Sequence, residues 1–187
     1  LDITESKYAQ KALSESEKRY RRISEAVTDY IFTVRVGNGH PEETYHGPTC
    51  VAVTGYTAEE FTSDPFLWIR MVPEEDQNVV RAQAAAVLAG EEPEPIEHRI
   101  RRKDGQIRWV SNSLVPNYDV KGSLVSYDGL IRDITSRKIA EETLRHSEER
   151  YRQLVETMNE GLAMGDHDYI FTFVNERFAE MLGYSRE

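Results

Sequence analysis

Two polar residues, His98 and Asn112, stand where the sequence otherwise predicts an apolar interior. Each lies in a segment whose side chains alternate between two faces, although the alternation is weaker around Asn112. The apolar residues on the same two faces are Ile96, Ile100, Val110 and Leu114. A few polar groups in an apolar concavity are typical of a ligand-binding site. The alternative is that neighbouring groups satisfy both side chains, because buried polar groups are nearly always hydrogen-bonded.

A third alternating segment completes this predicted interior. Tyr127, Gly129 and Ile131 share one face, and Arg132 on the other face is expected to point outward. The residues predicted to line the candidate pocket are Phe32, Val34, Cys50, Trp68, His98, Ile100, Val110, Asn112, Leu114, Tyr127 and Ile131. For Cys50 the alternative is a small buried hydrophobic residue, which is the usual role of a free cysteine.

The sequence nominates no catalytic residue and no metal site. His146 lies in a charged helical segment and lacks the following acidic residue and proline of a phosphoacceptor histidine. No nucleophile stands beside a base, no carboxylate or histidine cluster has metal-ligand spacing, and no glycine-rich phosphate loop occurs. An independent enzyme is therefore the weakest of the functional hypotheses.

Charge and cysteine content argue against nucleic acid binding and against a cysteine metal site. The 187 residues contain 23 Lys and Arg against 33 Asp and Glu, a formal net charge of −10. This acidic balance argues against nucleic acid binding, which depends on neutralising phosphates. One cysteine excludes an intramolecular disulfide and a CxxC metal site, which favours a reducing cytoplasm. No apolar run reaches the roughly 20 residues of a membrane span, so membrane attachment is expected only through segments outside this sequence.

A repeat divides the chain. The motif Asp2-Ile3-Thr4 recurs as Asp133-Ile134-Thr135, and Tyr20 recurs as Tyr151, at the same offset of 131 residues. An offset of this length indicates tandem domains rather than a solenoid. The repeated segment is a helical connector, so one domain lies between its two copies.

The connector helices carry an apolar stripe with seven-residue spacing. Its members are Leu13, Tyr20, Ile23 and Val27 in the first copy and Leu144, Tyr151, Leu154 and Met158 in the second. Each stripe fits a helix packed on its own domain or a two-stranded coiled coil in a homodimer. Two heptads are too few to separate these alternatives.

The domain between the connectors is predicted to be α+β. Two strands precede several short helices and one longer helix, and three strands joined by short loops follow. The predicted strands are 29–36, 43–46, 95–102, 107–116 and 124–134, and the longer predicted helix is 74–89. Residues 37–41 are predicted to form the first hairpin turn.

An ordered set of motifs resembles the PAS domain family. Its first part is Gly55-Tyr56-Thr57-Ala58-Glu59-Glu60-Phe61, Trp68-Ile69 and Pro73-Glu74-Glu75-Asp76. Its second part, similar to the PAC motif, is the segment 102–110 followed by Pro116, Asp119, Gly122, Gly129 and Asp133-Ile134-Thr135. The resemblance implies a five-stranded antiparallel sheet of order 2-1-5-4-3 with short helices on one face, flanked by long connector helices.

The resemblance and the repeat together predict five segments. Residues 1–4 are the tail of a preceding PAS domain, 5–19 a connector helix, 20–135 a complete PAS/PAC domain, 136–150 a second connector helix, and 151–187 the first part of another PAS domain. Within the last segment, Asn175 is expected to cap a helix that ends at Gly183.

The resemblance further implies a sensory module in a tandem array, as in sensor histidine kinases or diguanylate cyclases. The output domain would lie downstream in the same polypeptide. The signal would leave through Asp133, Ile134 and Thr135, with Thr135 capping the outgoing helix. No cofactor is predicted, because 61–66 lacks the cysteine of flavin photosensors and 74–89 lacks the histidine of haem-binding members.

Two functional hypotheses therefore remain. The first is a sensor that binds an unidentified small ligand. The second is a ligand-free spacer for dimerisation, in which Phe32, Phe61, Trp68 and Tyr127 fill the interior. They differ in whether a cavity separates the sheet from the helices.

Overall fold

The computed structural model describes residues 29–168 and 170–184. The chain divides into two compact units, one ending at Thr135 and the other beginning at Ser136. The predictions for the first connector, including Leu13, Tyr20, Ile23 and Val27, lie outside the described residues.

The first unit is built on one antiparallel sheet of five strands. Its spatial order is β2-β1-β5-β4-β3, which confirms the predicted order and the α+β class. The strands are β1 (Tyr30–Gly37), β2 (His40–His46), β3 (Ile96–Arg101), β4 (Ile107–Tyr118) and β5 (Leu124–Asp133). Every neighbouring pair but β1–β5 is joined by a short hairpin, so β5 closes the sheet by inserting between β1 and β4.

The first hairpin is tighter than the sequence suggested. Strand β2 begins at His40, which pairs with Gly37, so only Asn38 and Gly39 form the turn. Both have positive φ, 51° and 77°, as a two-residue hairpin turn of the right twist requires. The prediction of a five-residue turn at 37–41 was wrong because Pro41, which lacks an N–H, is tolerated in this edge strand.

Strand β4 runs two residues past its predicted end at Pro116. Strand β3 pairs with β4 only from Ile107 to Asn112, so beyond Asn112 strand β4 has β5 as its partner on one side alone. A proline can therefore occupy this stretch, where one edge of the strand is unpaired.

Four helices connect β2 to β3 and cover the inner face of the sheet. They are α1 (Cys50–Thr54), α2 (Ala58–Ser63), α3 (Leu67–Arg70) and α4 (Glu74–Leu88). Gly55 ends α1 in the left-handed conformation, with φ of 79°. Thr57 and Glu60 form the predicted capping box of α2.

The interior of this unit contains two clusters of buried apolar side chains. The larger cluster joins the first helices to the sheet and includes Cys50, Val53, Phe61, Ile69, Ile100 and Val110. The smaller cluster consists of Val34, Val87, Leu114 and Tyr127. Phe32 is partly buried and packs against both.

Helix α5 (Thr135–Thr157) follows β5 and has no buried residue among those described. The stripe residues Leu144, Tyr151, Leu154 and Met158 are exposed on the single chain. Ion pairs at helical spacing, such as Arg145 with Glu142 and Glu149, surround them.

The second unit also contains strands β6 (Ala163–Gly165) and β7 (Phe171–Val174) and helix α6 (Glu176–Leu182). Asn175 caps α6 as predicted, because its side chain accepts a hydrogen bond from the Phe178 amide. The same side chain accepts from the Leu162 amide and donates to the carbonyls of Val155 and Glu160. Gly183 ends α6 with a φ of 73°.

Candidate functional site

A cavity of about 120 Å³ lies inside the first unit, bordered by residues of both apolar clusters. Eight of the eleven predicted pocket residues line it: Phe32, Val34, Trp68, His98, Asn112, Leu114, Tyr127 and Ile131. The volume corresponds to a few water molecules, since a water occupies about 30 Å³ of liquid. The cavity is therefore small beside the two packed apolar clusters that border it.

Three predicted pocket residues do not reach the cavity. Cys50, Ile100 and Val110 are fully buried in the larger apolar cluster instead. Strand alternation placed Ile100 and Val110 on the correct face, but it carries no information about which point along a strand faces a void. Burial raises the pKa of the Cys50 thiol, so the residue behaves as the small hydrophobic group of the alternative interpretation.

Several lining residues were missed by sequence reasoning. They are Tyr30, Pro41, Thr44, His46, Met71, Val80, Gln83 and Ala84. Helix α4 offered a usable signal, because Val80, Gln83 and Val87 follow helical spacing and all three are buried. His46 could have been found from the hairpin register, since it pairs with Phe32.

The amide groups of Gln83 and Asn112 fix each other's orientation. Gln83 Nε2 donates to two backbone carbonyls, those of Glu94 at 3.1 Å and Asn112 at 3.0 Å. Its Oε1 must then accept, and Asn112 Nδ2 donates to it at 2.9 Å. Asn112 Oδ1 is left buried, with no hydrogen-bond partner. The orphan atom is consequently an acceptor.

His98 provides a second orphan atom. Its side chain is 3% exposed, and its Nδ1 is buried without a hydrogen-bond partner. Burial lowers its pKa to about 4, although the negative charge of Asp76 acts in the opposite direction. Asp76 is itself engaged by Arg99, whose guanidinium and backbone amide both donate to it. His98 is therefore neutral near pH 7.

His46 is held in an aromatic environment. Its ring stacks on Phe61 with 4.1 Å between the ring centroids, and its Nδ1 is hydrogen-bonded to the hydroxyl of Tyr30. Burial lowers the pKa of His46 to about 4 and raises the pKa of Tyr30, so both are uncharged near pH 7. No Asp, Glu, Lys or Arg occurs among the described residues that line the cavity.

Phe32, which lines the cavity, packs against Gly129 of the neighbouring strand. The two residues pair across β1 and β5, and the Phe32 ring occupies the space that a Cβ atom at position 129 would need. Glycine therefore allows the ring to lie against the sheet. Among the lining residues, Pro41 and Thr44 are exposed and Trp68 is 36% exposed, so these residues border the cavity where it reaches the surface.

Comparisons with known proteins identify this arrangement. A family model described as the PAS fold matches residues 43–131, and a PAS domain model matches residues 149–187. The chain contains a PAS domain. A sensory box histidine kinase/response regulator from Burkholderia thailandensis has a similar fold, with a TM-score of 0.56 and 22% identity, covering 72% of this chain and 98% of that one.

Two curated relatives are similar in sequence to this PAS protein. The methyl sulfide methyltransferase-associated sensor of Methanosarcina acetivorans is 29% identical over 77% of this chain and 15% of its own length. The two-component sensor PprA of Pseudomonas aeruginosa is 25% identical over 100% of this chain and 20% of its own length. The chain thus spans no more than a fifth of these relatives.

The PAS domain of the first unit passes into α5 through Asp133, Ile134 and Thr135. The Ile134 amide donates to the Trp109 carbonyl at 2.9 Å, and Asp133 forms an ion pair with Arg108. Burial raises the pKa of Asp133, but hydrogen bonds from Thr135 and Arg108 outweigh this effect and the pKa is lowered. Asp133 is therefore charged and anchored at the end of the last strand.

Thr135 does not act as the predicted helix cap. Its Oγ1 accepts a hydrogen bond from the Trp109 amide of β4 at 3.0 Å, while its own amide donates to Asp133 Oδ1 at 2.9 Å. The hydroxyl thus links the first residue of α5 to strand β4 of the sheet. The sequence prediction failed because it considered only partners near in the chain, whereas Trp109 lies 26 residues away.

Two absences in the described part of the chain concern metal binding and membrane insertion. Residues 29–168 and 170–184 contain no group of three or more His, Cys, Asp or Glu placed to hold a metal ion. None of the helices described is both long enough and apolar enough to cross a bilayer.

Proposed function

We propose that this chain is a sensory part of a longer signal-transduction protein and that its first PAS domain binds a small ligand in the cavity between sheet and helices. The observation that carries the proposal is the pair of orphan polar atoms, His98 Nδ1 and Asn112 Oδ1, in side chains that line this cavity. An unsatisfied buried polar group costs about 1–3 kcal/mol, so a partner that supplies hydrogen bonds is favoured.

The ligand is small and is neither flavin nor haem. Sites for drug-sized ligands usually measure about 300–1,000 Å³, which is well above the about 120 Å³ of this cavity. The absence of the flavin-type cysteine from 61–66 and of a histidine from 74–89 supports the same conclusion.

The alternative function is a ligand-free spacer that dimerises and transmits helix movements. The small volume of the cavity and the tight packing of the larger cluster favour it. Water molecules would then satisfy His98 and Asn112.

Native mass spectrometry of the purified 187-residue chain separates the two functions. The sensor is expected to carry a small molecule that is released on unfolding and whose addition raises the melting temperature of stripped protein. A chain that retains only water, and whose melting temperature no member of a metabolite library raises, would establish the spacer.

The output domain is proposed to lie elsewhere in the same polypeptide, as a histidine kinase or a cyclic-di-GMP enzyme, so that this chain regulates catalysis and performs none. Support comes from the small share of the relatives' length that the chain covers and from the printed description of one relative as a two-component sensor. A cytoplasmic location fits the single, buried free cysteine.

Homodimerisation through the connector helices is the proposed route of transmission. The exposed stripe of Leu144, Tyr151, Leu154 and Met158 would pair with a second copy. A helix turns about 100° per residue, so one residue inserted beside Glu141 rotates the stripe, whereas seven nearly restore its phase. In the intact protein we expect the single insertion to disrupt output and the seven-residue insertion to preserve it. Equal behaviour of the two insertions would reduce α5 to a tether.

A further inference from the structure

We propose that the ligand of this cavity is a small uncharged molecule of about the size of benzene that carries a hydroxyl group, with phenol as its simplest representative. The inference rests on the proposed ligand-binding function and assigns a chemical class to it. Charge, hydrogen-bonding direction and volume each restrict the class independently.

The charge of the cavity excludes ionic ligands. Its described lining contains no Arg or Lys to pair with a carboxylate or phosphate and no Asp or Glu to pair with an ammonium group. The two lining histidines, His46 and His98, are neutral near pH 7, as described above. An ion entering this site would lose its hydration without gaining a counter-charge, which is strongly unfavourable.

The direction of the available hydrogen bond requires a donor on the ligand. The two bonds from Gln83 Nε2 to backbone carbonyls determine which end of the Asn112 amide remains unpaired, and that end is the oxygen. An O–H group can donate to Asn112 Oδ1, whereas an ether, ketone or hydrocarbon cannot.

His98 favours a hydroxyl over other donors. It pairs with Val110 across β3 and β4, so it is the diagonal neighbour of Asn112 on the same inner face. A hydroxyl donates one hydrogen bond and accepts others, so a single group can serve Asn112 and His98 in either histidine tautomer. The terminal torsions of Asn and His are broad, so small adjustments present both orphan atoms to a ligand while Asn112 Nδ2 keeps its hydrogen bond to Gln83.

The volume and the walls set the size and shape. An engineered protein cavity of about 150 Å³ binds benzene, so a cavity of about 120 Å³ suits a single small ring. Tyr30, Phe32, Trp68 and Tyr127 contribute aromatic surface to its lining. Offset stacked or edge-to-face contacts with such side chains favour a flat aromatic ligand.

Four probes test the class on the stripped 187-residue chain at pH 7 by isothermal titration calorimetry. Phenol carries the hydroxyl donor, benzene lacks any polar group, anisole has an oxygen that only accepts, and benzoate is charged. We expect phenol to bind about tenfold or more tightly than benzene and anisole, as one hydrogen bond to a buried acceptor allows. Benzoate is expected not to bind.

Two variants locate the effect. Asn112→Leu removes one of the two polar partners and is expected to reduce the preference for phenol over benzene by about threefold or more, with His98 left as the remaining partner. Asn117→Leu is the matched control, because Asn117 lies on the same strand but its side chain bonds Ser126 and Asp128 instead of lining the cavity. It should keep the preference for phenol. The anisole comparison tests the donor requirement in the wild-type chain even where Asn112→Leu fails to fold.

The outcomes separate this inference from the proposed function. Equal affinity for phenol and benzene, or binding of benzoate as tight as that of phenol, overturns the ligand class while ligand binding itself stands. If none of the four probes binds but the chain retains another molecule on purification, the ligand class is likewise overturned and ligand binding stands. Failure of all four in a chain that retains nothing overturns both.

Discussion

Ile100 and Ile131 are the same residue type on the inner face of the same sheet, yet their surroundings differ. Both belong to the larger apolar cluster, but Ile100 is 0% exposed and does not reach the cavity, whereas Ile131 is 6% exposed and borders it. The strand period does not distinguish the two positions, because it places both side chains on the inner face of the sheet. The difference arises from the helices, since Phe61 and Ile69 complete the larger cluster while Gln83 and Ala84 leave space beside the cavity. The sheet provides the inner face, and the side chains of the helices determine where a cavity remains beside it.

The largest expected effect is a loss of stability at the packed position. Ile100→Ala should lower the free energy of unfolding by about 3–5 kcal/mol, because it removes buried methyl groups and leaves a new cavity. Ile131→Ala should cost about 2 kcal/mol, because the side chain already lacks contact atoms on the cavity side. Urea denaturation of the two variants measures the difference. Equal costs would show that the cavity is filled in solution.

The second expected effect is a pH dependence that originates in the cavity wall. His46 and His98 have folded pKa values of about 4 against an ordinary 6.5, so the unfolded chain binds protons in this range that the folded chain does not. The free energy of unfolding should therefore fall as the pH is lowered from about 7 to about 4, by an amount on the order of 3 kcal/mol for each histidine.

Histidine variants assign this pH dependence. His98→Leu and His46→Leu should each remove one histidine's share, because each deletes one of the two side chains whose pKa burial lowers. Urea denaturation at pH 7 and pH 5 provides the measurement. If His98→Leu loses as much stability between pH 7 and pH 5 as the wild-type chain does, the acid sensitivity does not originate at His98.

The smallest expected effect is a gain on filling the cavity. Ala84 lines the cavity and is partly buried, so Ala84→Leu should raise the free energy of unfolding by about 1 kcal/mol and weaken ligand binding. The neighbouring Ala85 is exposed on the same helix, and Ala85→Leu should change stability by less than about 0.5 kcal/mol. Thermal unfolding with and without phenol compares the pair. If Ala84→Leu destabilised the chain while Ala85→Leu did not, the space beside Ala84 would be too small for a side chain.

The fold was predictable because its signals are local. Alternation, the capping box at Thr57 and Glu60 and the left-handed glycine at Gly55 each depend on residues close in sequence. The errors occurred where the local structure depends on a partner that is distant in the sequence. Pro116 continues its strand because β3 has already ended beside it, and Thr135 bonds to a strand 26 residues earlier.

For the candidate site, the sequence predicted which side chains point inward but not where the cavity begins and ends. The inward positions of His98, Asn112 and Tyr127 followed from strand period, and all three are buried and line the cavity. The limits of the cavity along the strands did not follow, so Ile100 and Val110 were included although helices cover them. Gln83 was missed because its role depends on backbone carbonyls from the loop before β3 and from β4.

The pairing of Phe32 with Gly129 has a consequence for redesign of the cavity. Because the ring fills the space beside the glycine, the effect of a change at one position depends on the residue at the other. Phe32→Ala would enlarge the cavity for a bulkier compound. Gly129→Ala then becomes acceptable and regains part of the lost packing. Gly129→Ala alone would place its Cβ in the space of the Phe32 ring, so the ring would have to move and the shape of the cavity would change with it.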